Sequence, residues 1–254
     1  MDGIQIRECT TIDEFDSCIR LQREVFGLPE LEISPRRHLI VSRQAGGWTL
    51  GALVAERLVG FVHHLPAVHD DSIFGYSHMM AVARDYQNKG VGARLKWSQR
   101  ERAINEGRNF IKWTWDPMQA RNAHFNLNRL GVTVRSYAAN FYGTDYSTSP
   151  LSEGTPPPGI DSDRLFAEWR LQSNRVIKLA QGATASFAVP AARTIQIPAD
   201  WNGLCTQNPR AAREEQLRVR TEFQNAFAGG LLCAGFDRAL DQPRYLLYAA
   251  EGLD

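Results

Sequence analysis

Apolar and polar positions alternate over residues 4–8, which predicts a short strand, and the period then lengthens to that of a helix. Thr11 precedes Glu14 by three residues, the spacing of a capping box, so a helix is expected from there to about Phe26, stopped before Gly27 and Pro29. Two β-rich runs, 47–55 and 58–65, flank the polar pair Glu56-Arg57 and read as a hairpin. A third strand is expected at 73–82, a helix at 90–106 with Gly107 as its stop, and a strand at 110–115 ended by Asp116-Pro117. A helix at 119–130 closed by Gly131 and a strand at 132–141 follow. The strand at 73–82, the helix at 90–106 and the strand at 110–115 make a βαβ unit, whose strands should be parallel neighbours joined by a right-handed crossover. The earlier strands read as an antiparallel meander.

The pattern breaks at 147–161, where four of the twelve prolines fall together and neither a helix nor an inner strand can form. This divides the chain into a first domain at 1–146, a connecting loop at 147–161 and a smaller α+β subdomain at 162–254. The subdomain carries strand candidates at 165–171, 194–197, 231–236 and 244–249 and a helix at 209–228. Helix followed by two neighbouring strands occurs in both parts, so a degenerate internal duplication stays open.

Composition narrows the class. With 254 residues, 43% hydrophobic and 22% charged, the chain can bury a core without disulfides or metals. Lys and Arg number 29 against 28 acids, so a net charge of +1 offers no global field for nucleic acid or an anionic membrane. The longest apolar runs are about five residues, far from the ~20 that span a bilayer. The amino terminus has no basic, apolar leader, and the four cysteines (Cys9, Cys18, Cys205, Cys233) show no CxxC spacing. A cytoplasmic protein with free thiols is expected.

Chemistry concentrates between Met80 and Leu95, where a strand end, a turn and a helix start carry glycines two apart. Such a turn exposes consecutive amides at the positive end of a helix, which suits a pyrophosphate. No GxxxxGK[ST] string occurs, and Leu95 occupies the third glycine position of a GxGxxG fingerprint. Gln87-Asn88-Lys89-Gly90-Val91-Gly92, led in by Val82-Ala83-Arg84-Asp85-Tyr86, resembles instead the acyl-coenzyme A loop of the GNAT superfamily of N-acyltransferases. The order of elements over residues 4–142 agrees with it independently. Residues 84–108 also hold seven Lys or Arg against three acids, a surplus that a solvated face would equally explain.

The resemblance implies an α+β fold: a mixed, mostly antiparallel sheet with a central splayed parallel pair and helices on both faces. It implies acetyl-CoA or another acyl-CoA as co-substrate, with no metal. The pyrophosphate would lie on the amides of Gln87, Asn88, Lys89, Gly90, Val91, Gly92 and Ala93, and the pantetheine arm along Met80, Ala81 and Val82. A backbone amide near Val82 would polarise the thioester carbonyl, a contribution of ~3 to 4 kcal/mol for single donors elsewhere.

An attacking amine of pKa ~10.4 is charged at pH 7, at a cost of ~4.6 kcal/mol, so a base or a desolvating pocket is needed. His78 is the best candidate, because alternation places it on the face of Met80 and Val82; Tyr76 is one step further on that face. A half-buried strand histidine is the competing reading. His63, His64, His69 and Asp70 resemble a metal cluster, yet adjacent strand residues point to opposite faces. His64 could instead reach the acceptor site. Trp113 and Trp115 share a face, as core or as pocket lining, and Asp116 could hold an ammonium or cap a helix.

The chain departs from the resemblance at Leu127, which stands where the tyrosine that protonates the leaving thiolate usually lies. A thiolate of pKa ~8.5 leaves with little help, and Tyr137, Tyr142 or water could substitute. The segment 119–132 and the extra C-terminal part are similar to a bacterial branch of the superfamily; amino-acid acylation with acetyl or succinyl donors is conceivable there, with Arg121 or Arg135 clamping a carboxylate. The expectation is an acyl-CoA-dependent N-acyltransferase acting on a small amine or amino acid. A non-catalytic acyl-CoA-binding protein is the alternative. Nothing sets the oligomeric state, and a homodimer stays open.

Overall fold

A computed structural model describes residues 3–28, 30–70, 72–143 and 159–250. Most of the expected proline-rich loop, up to residue 158, lies outside the described residues. The chain divides into two compact units, 1–112 and 113–254.

The first unit contains β1 (Ile4–Glu8), α1 (Ile12–Phe26), α2 (Arg36–Gln44), β2 (Trp48–Val54), β3 (Arg57–His69), β4 (Ser72–Val82) and α3 (Val91–Asn105). The strand β5 (Phe110–Trp115) begins in it and runs on into the second unit. Neighbours from β1 to β4 are antiparallel, and β4 with β5 is parallel, as the βαβ reading requires.

The expected capping box is present. The Thr11 hydroxyl accepts from the Glu14 amide, and the Glu14 carboxylate accepts from the amides of Thr10 (2.7 Å) and Thr11 (3.0 Å) and from Arg7. Burial alone would raise the Glu14 pKa, but the two amides and the guanidinium outweigh it and hold it at about 2. The folded value lies below the unfolded one, so this stabilisation is full above about pH 5 and is lost as pH falls towards 2. Its size is on the order of 3 kcal/mol. Urea unfolding of the protein and of Glu14→Gln should therefore differ clearly at pH 7 and converge near pH 2.5.

The β2–β3 turn sits one residue earlier than expected. Arg57 pairs with Val54 inside the ladder, leaving Ala55 and Glu56 as the two turn residues, both at positive φ (44° and 66°), the geometry that matches strand twist in a tight hairpin. The helix α2 was not expected at all. Apolar residues fill both faces of the sheet. Phe15, Cys18, Leu21, Leu39 and Phe61 pack on the α1/α2 side, and Trp48, Leu50, Val62, Val91 and Leu95 on the α3 side. The strands β2 and β3 are accordingly apolar almost throughout.

In the second unit α4 (Ala120–His124) continues as a π-helical turn over Phe125–Arg129, in which the Leu130 amide reaches back to the Phe125 carbonyl, and the chain leaves through Gly131 at φ 76°. The expected strand at 132–141 is a correction. Only Tyr137–Ala138 (β6) is a strand there, paired with β7 (Arg164–Arg170), while Thr133 and Val134 make single bridges to Glu168 and Cys233. Two different partners, one on each side of the segment, prevent a continuous ladder. The remaining elements are α5 (Asn174–Ala180), β8 (Arg193–Gln196), α6 (Trp201–Gln207), α7 (Pro209–Ala228), β9 (Leu231–Asp237) and β10 (Arg244–Ala249), with the last three strands ordered β8-β10-β9. Cys9, Cys18 and Cys233 are buried free thiols, and Cys205 is half-buried.

Candidate active site

The parallel ladder between β4 and β5 is short: Gly75 faces Ile111, Tyr76 faces Lys112, and the register ends. Beyond it, β4 stays bonded to β3 up to the Ala83 amide, which donates to the Val59 carbonyl at 2.9 Å. Strand alternation then turns the amides of Met80 and Val82 the other way, to the side where β5 no longer pairs. The Val82 carbonyl points there too and accepts from the Gln87 side chain at 3.0 Å, which ties the following turn to the strand.

That turn runs through a 3₁₀ segment at Arg84–Tyr86, Asn88 at φ 59° and Gly90 at φ 78° into α3. Gly90 is the N-cap and no side chain caps the helix, so the amides of Val91, Gly92 and Ala93 have no acceptor within it. Asn88, Lys89 and Gly90 are exposed, and Lys89 lies over the Tyr86 ring at 5.7 Å. A Cβ built on Gly92 would meet only Met80 Cε at 3.6 Å and Val82 Cγ2 at 3.9 Å, ordinary contacts. The chain's own packing does not demand glycine at 92, and a bare backbone there fits close approach by a phosphate.

His78 departs from expectation in its orientation. The β3–β4 register steps from His63↔Met79 to His64↔Ser77, so His78 is the extra residue of a β-bulge. The bulge breaks the alternation. Ser77 and Met80 face α3, whereas the His78 ring lies against His38 of α2 and His63 of β3, with centroids 5.4 Å and 6.1 Å away. Its Nε2 is 3.4 Å from Ser34 Oγ. His78 therefore does not share a face with Met80 and Val82; by alternation Tyr76 lies on its side of the strand, and Ala81 packs in the α1/α2 core. The ring has an open side to solvent, yet the protein packed around it, and then His38, lower its pKa below the ordinary value. It is neutral at pH 7.

His63 and His64 do point to opposite faces. His63 is buried between Thr49 and Ser42; Ser42 donates its proton to the Leu39 carbonyl, so it accepts from His63 Nε2 at 3.1 Å, and Nδ1 accepts from Thr49 at 2.8 Å. Burial and the neighbouring His38 and His78 hold it neutral, with a pKa of about 3. His64 lies stacked on Trp48 at 4.1 Å in a buried polar chain, where Lys96 Nζ donates to Ser77 (2.8 Å) and Gln99 (2.9 Å), and Gln99 meets His64 Nδ1. Burial lowers the Lys96 pKa well below the lysine value. A Cβ on Gly75 would fall 2.1 Å from His64 Cε1, which is why this position carries none. His69 and Asp70 pair in the exposed β3–β4 turn, and among the described residues no group of three or more His, Cys, Asp and Glu is placed to hold a metal.

In the second unit Trp113 packs on Trp169, and Trp115 donates to the Tyr245 hydroxyl at 3.3 Å, both as core. Asp116 accepts from the Met118 amide and the Gln119 side chain in the turn ahead of α4, a helix whose N-cap Gln119 has no side-chain cap. Leu127 is wholly buried. The Tyr137 hydroxyl donates to Asp163, a carboxylate also held by Arg220; burial and that bond raise its pKa well above the ordinary tyrosine range. Tyr142 lies near Thr114 and under Arg164, and Arg135 pairs with Glu168.

The residues missed from sequence are His38 and Ser34. Ser34-Pro35 before a run ending in Leu39-Ile40-Val41, closed by Gly46-Gly47, is a legible helix start and stop.

Residues 15–131 match the sequence profile described as the Acetyltransferase (GNAT) family. No curated protein matches the chain significantly. Among solved structures, a GNAT family acetyltransferase from Elizabethkingia anophelis with acetyl-CoA bound is similar at 19% identity, TM-score 0.50, over 67% of this chain and 99% of that one. The ribosomal-protein-S18-alanine N-acetyltransferase of Escherichia coli is similar at 13% identity, TM-score 0.51, over 67% and 95%. A putative GNAT acetyltransferase from Desulfovibrio desulfuricans gives 14% identity, TM-score 0.53, over 66% and 99%. At these identities the likeness concerns the fold, and the sequence profile agrees with the turn, the helix and the splayed strand pair: residues 15–131 form a domain of the GNAT acetyltransferase family.

Proposed function

We propose that the protein is an acyl-CoA-dependent N-acyltransferase that transfers an acetyl or succinyl group to the amine of a small molecule or amino acid. The observation that carries this reading is the continuity of three features on one strand: the uncapped start of α3, the turn from Gln87 to Gly90, and the β4 edge at Met80 and Val82 that β5 leaves unpaired. The amides from Gln87 to Ala93 would take the pyrophosphate, and those of Met80 and Val82 the pantetheine arm and thioester carbonyl. Acyl-CoA supplies an activated acyl carbon with a good leaving group.

His78, neutral at pH 7, accepts a proton from the acceptor ammonium, and Tyr76 on the same side of β4 helps orient the amine. The amine nitrogen then bonds to the acyl carbon, the C–S bond breaks, and the second proton shed by the nitrogen passes through water to the departing thiolate, since Leu127 offers none.

A non-catalytic acyl-CoA-binding protein is the second reading, favoured by the buried Leu127 and by the commitment of the Tyr137 hydroxyl to Asp163. Calorimetric titration with coenzyme A, acetyl-CoA and succinyl-CoA tests what the two share, and thiol release in an amine and amino-acid screen separates them. Binding with turnover supports the enzyme, binding without turnover supports the second reading, and absence of binding overturns both.

A further inference from the structure

Three imidazoles meet on the α1/α2 side of β4, and they are not equivalent. His63 has both nitrogens bonded, to Thr49 and Ser42, and is fixed in one tautomer. His78 has Ser34 at 3.4 Å and an open side. His38 completes a triangle with them, its ring centroid 5.4 Å from each, with interplanar angles of 63° to His78 and 68° to His63. Its Nε2 is shielded from solvent and has no hydrogen-bond partner. A half-buried histidine that keeps a shielded nitrogen without a partner, its ring in contact with two others, is costly to keep for packing alone, where phenylalanine or leucine would serve.

We propose that His38 is a positioning residue for His78: its ring, in contact with the His78 imidazole, holds that imidazole beside Ser34 at the bulge. The inference rests on the reading of His78 as the proton acceptor. Two imidazoles in contact do not both carry a proton readily, so a proton on one disfavours a proton on the other. His63 cannot share this role, because its bonds to Thr49 and Ser42 and its burial keep it neutral. Of the other elements against β4, α3 places Lys96 on the opposite face beside Ser77, α1 presents Cys18 and Gln22 on its buried side, Gln22 being bonded to Ser34, and β4 itself adds Tyr76. Among the described residues, His38 joins burial in lowering the proton affinity of His78.

The test uses the full chain. Histidine C2–H resonances are followed by NMR against pH in the wild type, in His38→Gln and in His78→Gln, the last to assign the signal, and the kcat–pH profile is measured in parallel with acetyl-CoA. His38→Gln should move the His78 midpoint to higher pH and carry the acid limb of kcat upward by the same shift, with the KM for acetyl-CoA unmoved. An unchanged His78 midpoint in a folded variant overturns the proposal. If the midpoint moves and kcat does not follow, the coupling stands and the proton-acceptor reading of His78 fails instead. Should His38→Gln not fold, the wild type alone decides: mutually dependent two-step titrations of His38 and His78 support the pairing, and independent single-step curves overturn it.

Discussion

Gly92→Glu should abolish coenzyme A binding, a loss of at least about 100-fold, while leaving the protein folded and no less stable. The Cβ has room, touching Met80 and Val82 only at ordinary contact distance. In the first turn of α3 a side chain in place of glycine favours the helix by up to about 1 kcal/mol, and a carboxylate there complements the helix dipole. The same carboxylate would occupy the space in front of the amides of Val91, Gly92 and Ala93 and repel a pyrophosphate. Thermal melting and calorimetry on one sample check both halves. Gly90 is a poorer choice, because at φ 78° any side chain strains the backbone and confounds loss of binding with loss of fold. Unchanged affinity in the Gly92 variant would place the phosphate site elsewhere.

His78→Ala should reduce kcat at pH 7 by roughly 10²- to 10⁴-fold, the range for removal of a general base, with acyl-CoA affinity retained. The binding elements lie on the α3 side and edge of β4, and the His78 ring lies on the other, so the two functions separate on one strand. The deficit should shrink at alkaline pH, where the amine loses its own proton without help, and added imidazole should restore part of the rate. An initial-rate series from pH 6 to pH 10 with saturating acetyl-CoA measures this. A uniform deficit across that range would mean that His78 shapes the pocket rather than moving a proton.

Where local chemistry dictates structure, the sequence was sufficient. Thr11 and Glu14 announce the start of α1, Gly27 ends it, and Gln87 to Gly92 mark the passage from β4 into α3, because caps and glycine turns are set by the residues that make them. The parallel pair followed from the length of its crossover. What escaped depended on partners distant in sequence. The bulge at His78 contains no glycine and becomes visible only when β3 is laid alongside, so the strand was read with unbroken alternation and His78 was assigned to the wrong side. The segment 132–141 is rich in β-formers but is divided between two partners. The helix α2 was missed because three basic residues, Arg36, Arg37 and His38, mask the apolar face that follows them.

The extra residue in β4 also sets which length changes this strand can accept. Deleting the bulge residue His78 would restore regular pairing with β3 and leave Tyr76 and everything before it on their present faces, because Ser77 keeps His64 as its partner and Met79 keeps His63. Ser77 would keep its bond to Lys96 and Gly75 its place against the His64 ring, and the change would fall on the His78 imidazole. An insertion in the exposed turn at His69 and Asp70 would disturb none of these relations. Length variation that keeps the faces of this hairpin should accordingly be confined to its tip and to the bulge itself.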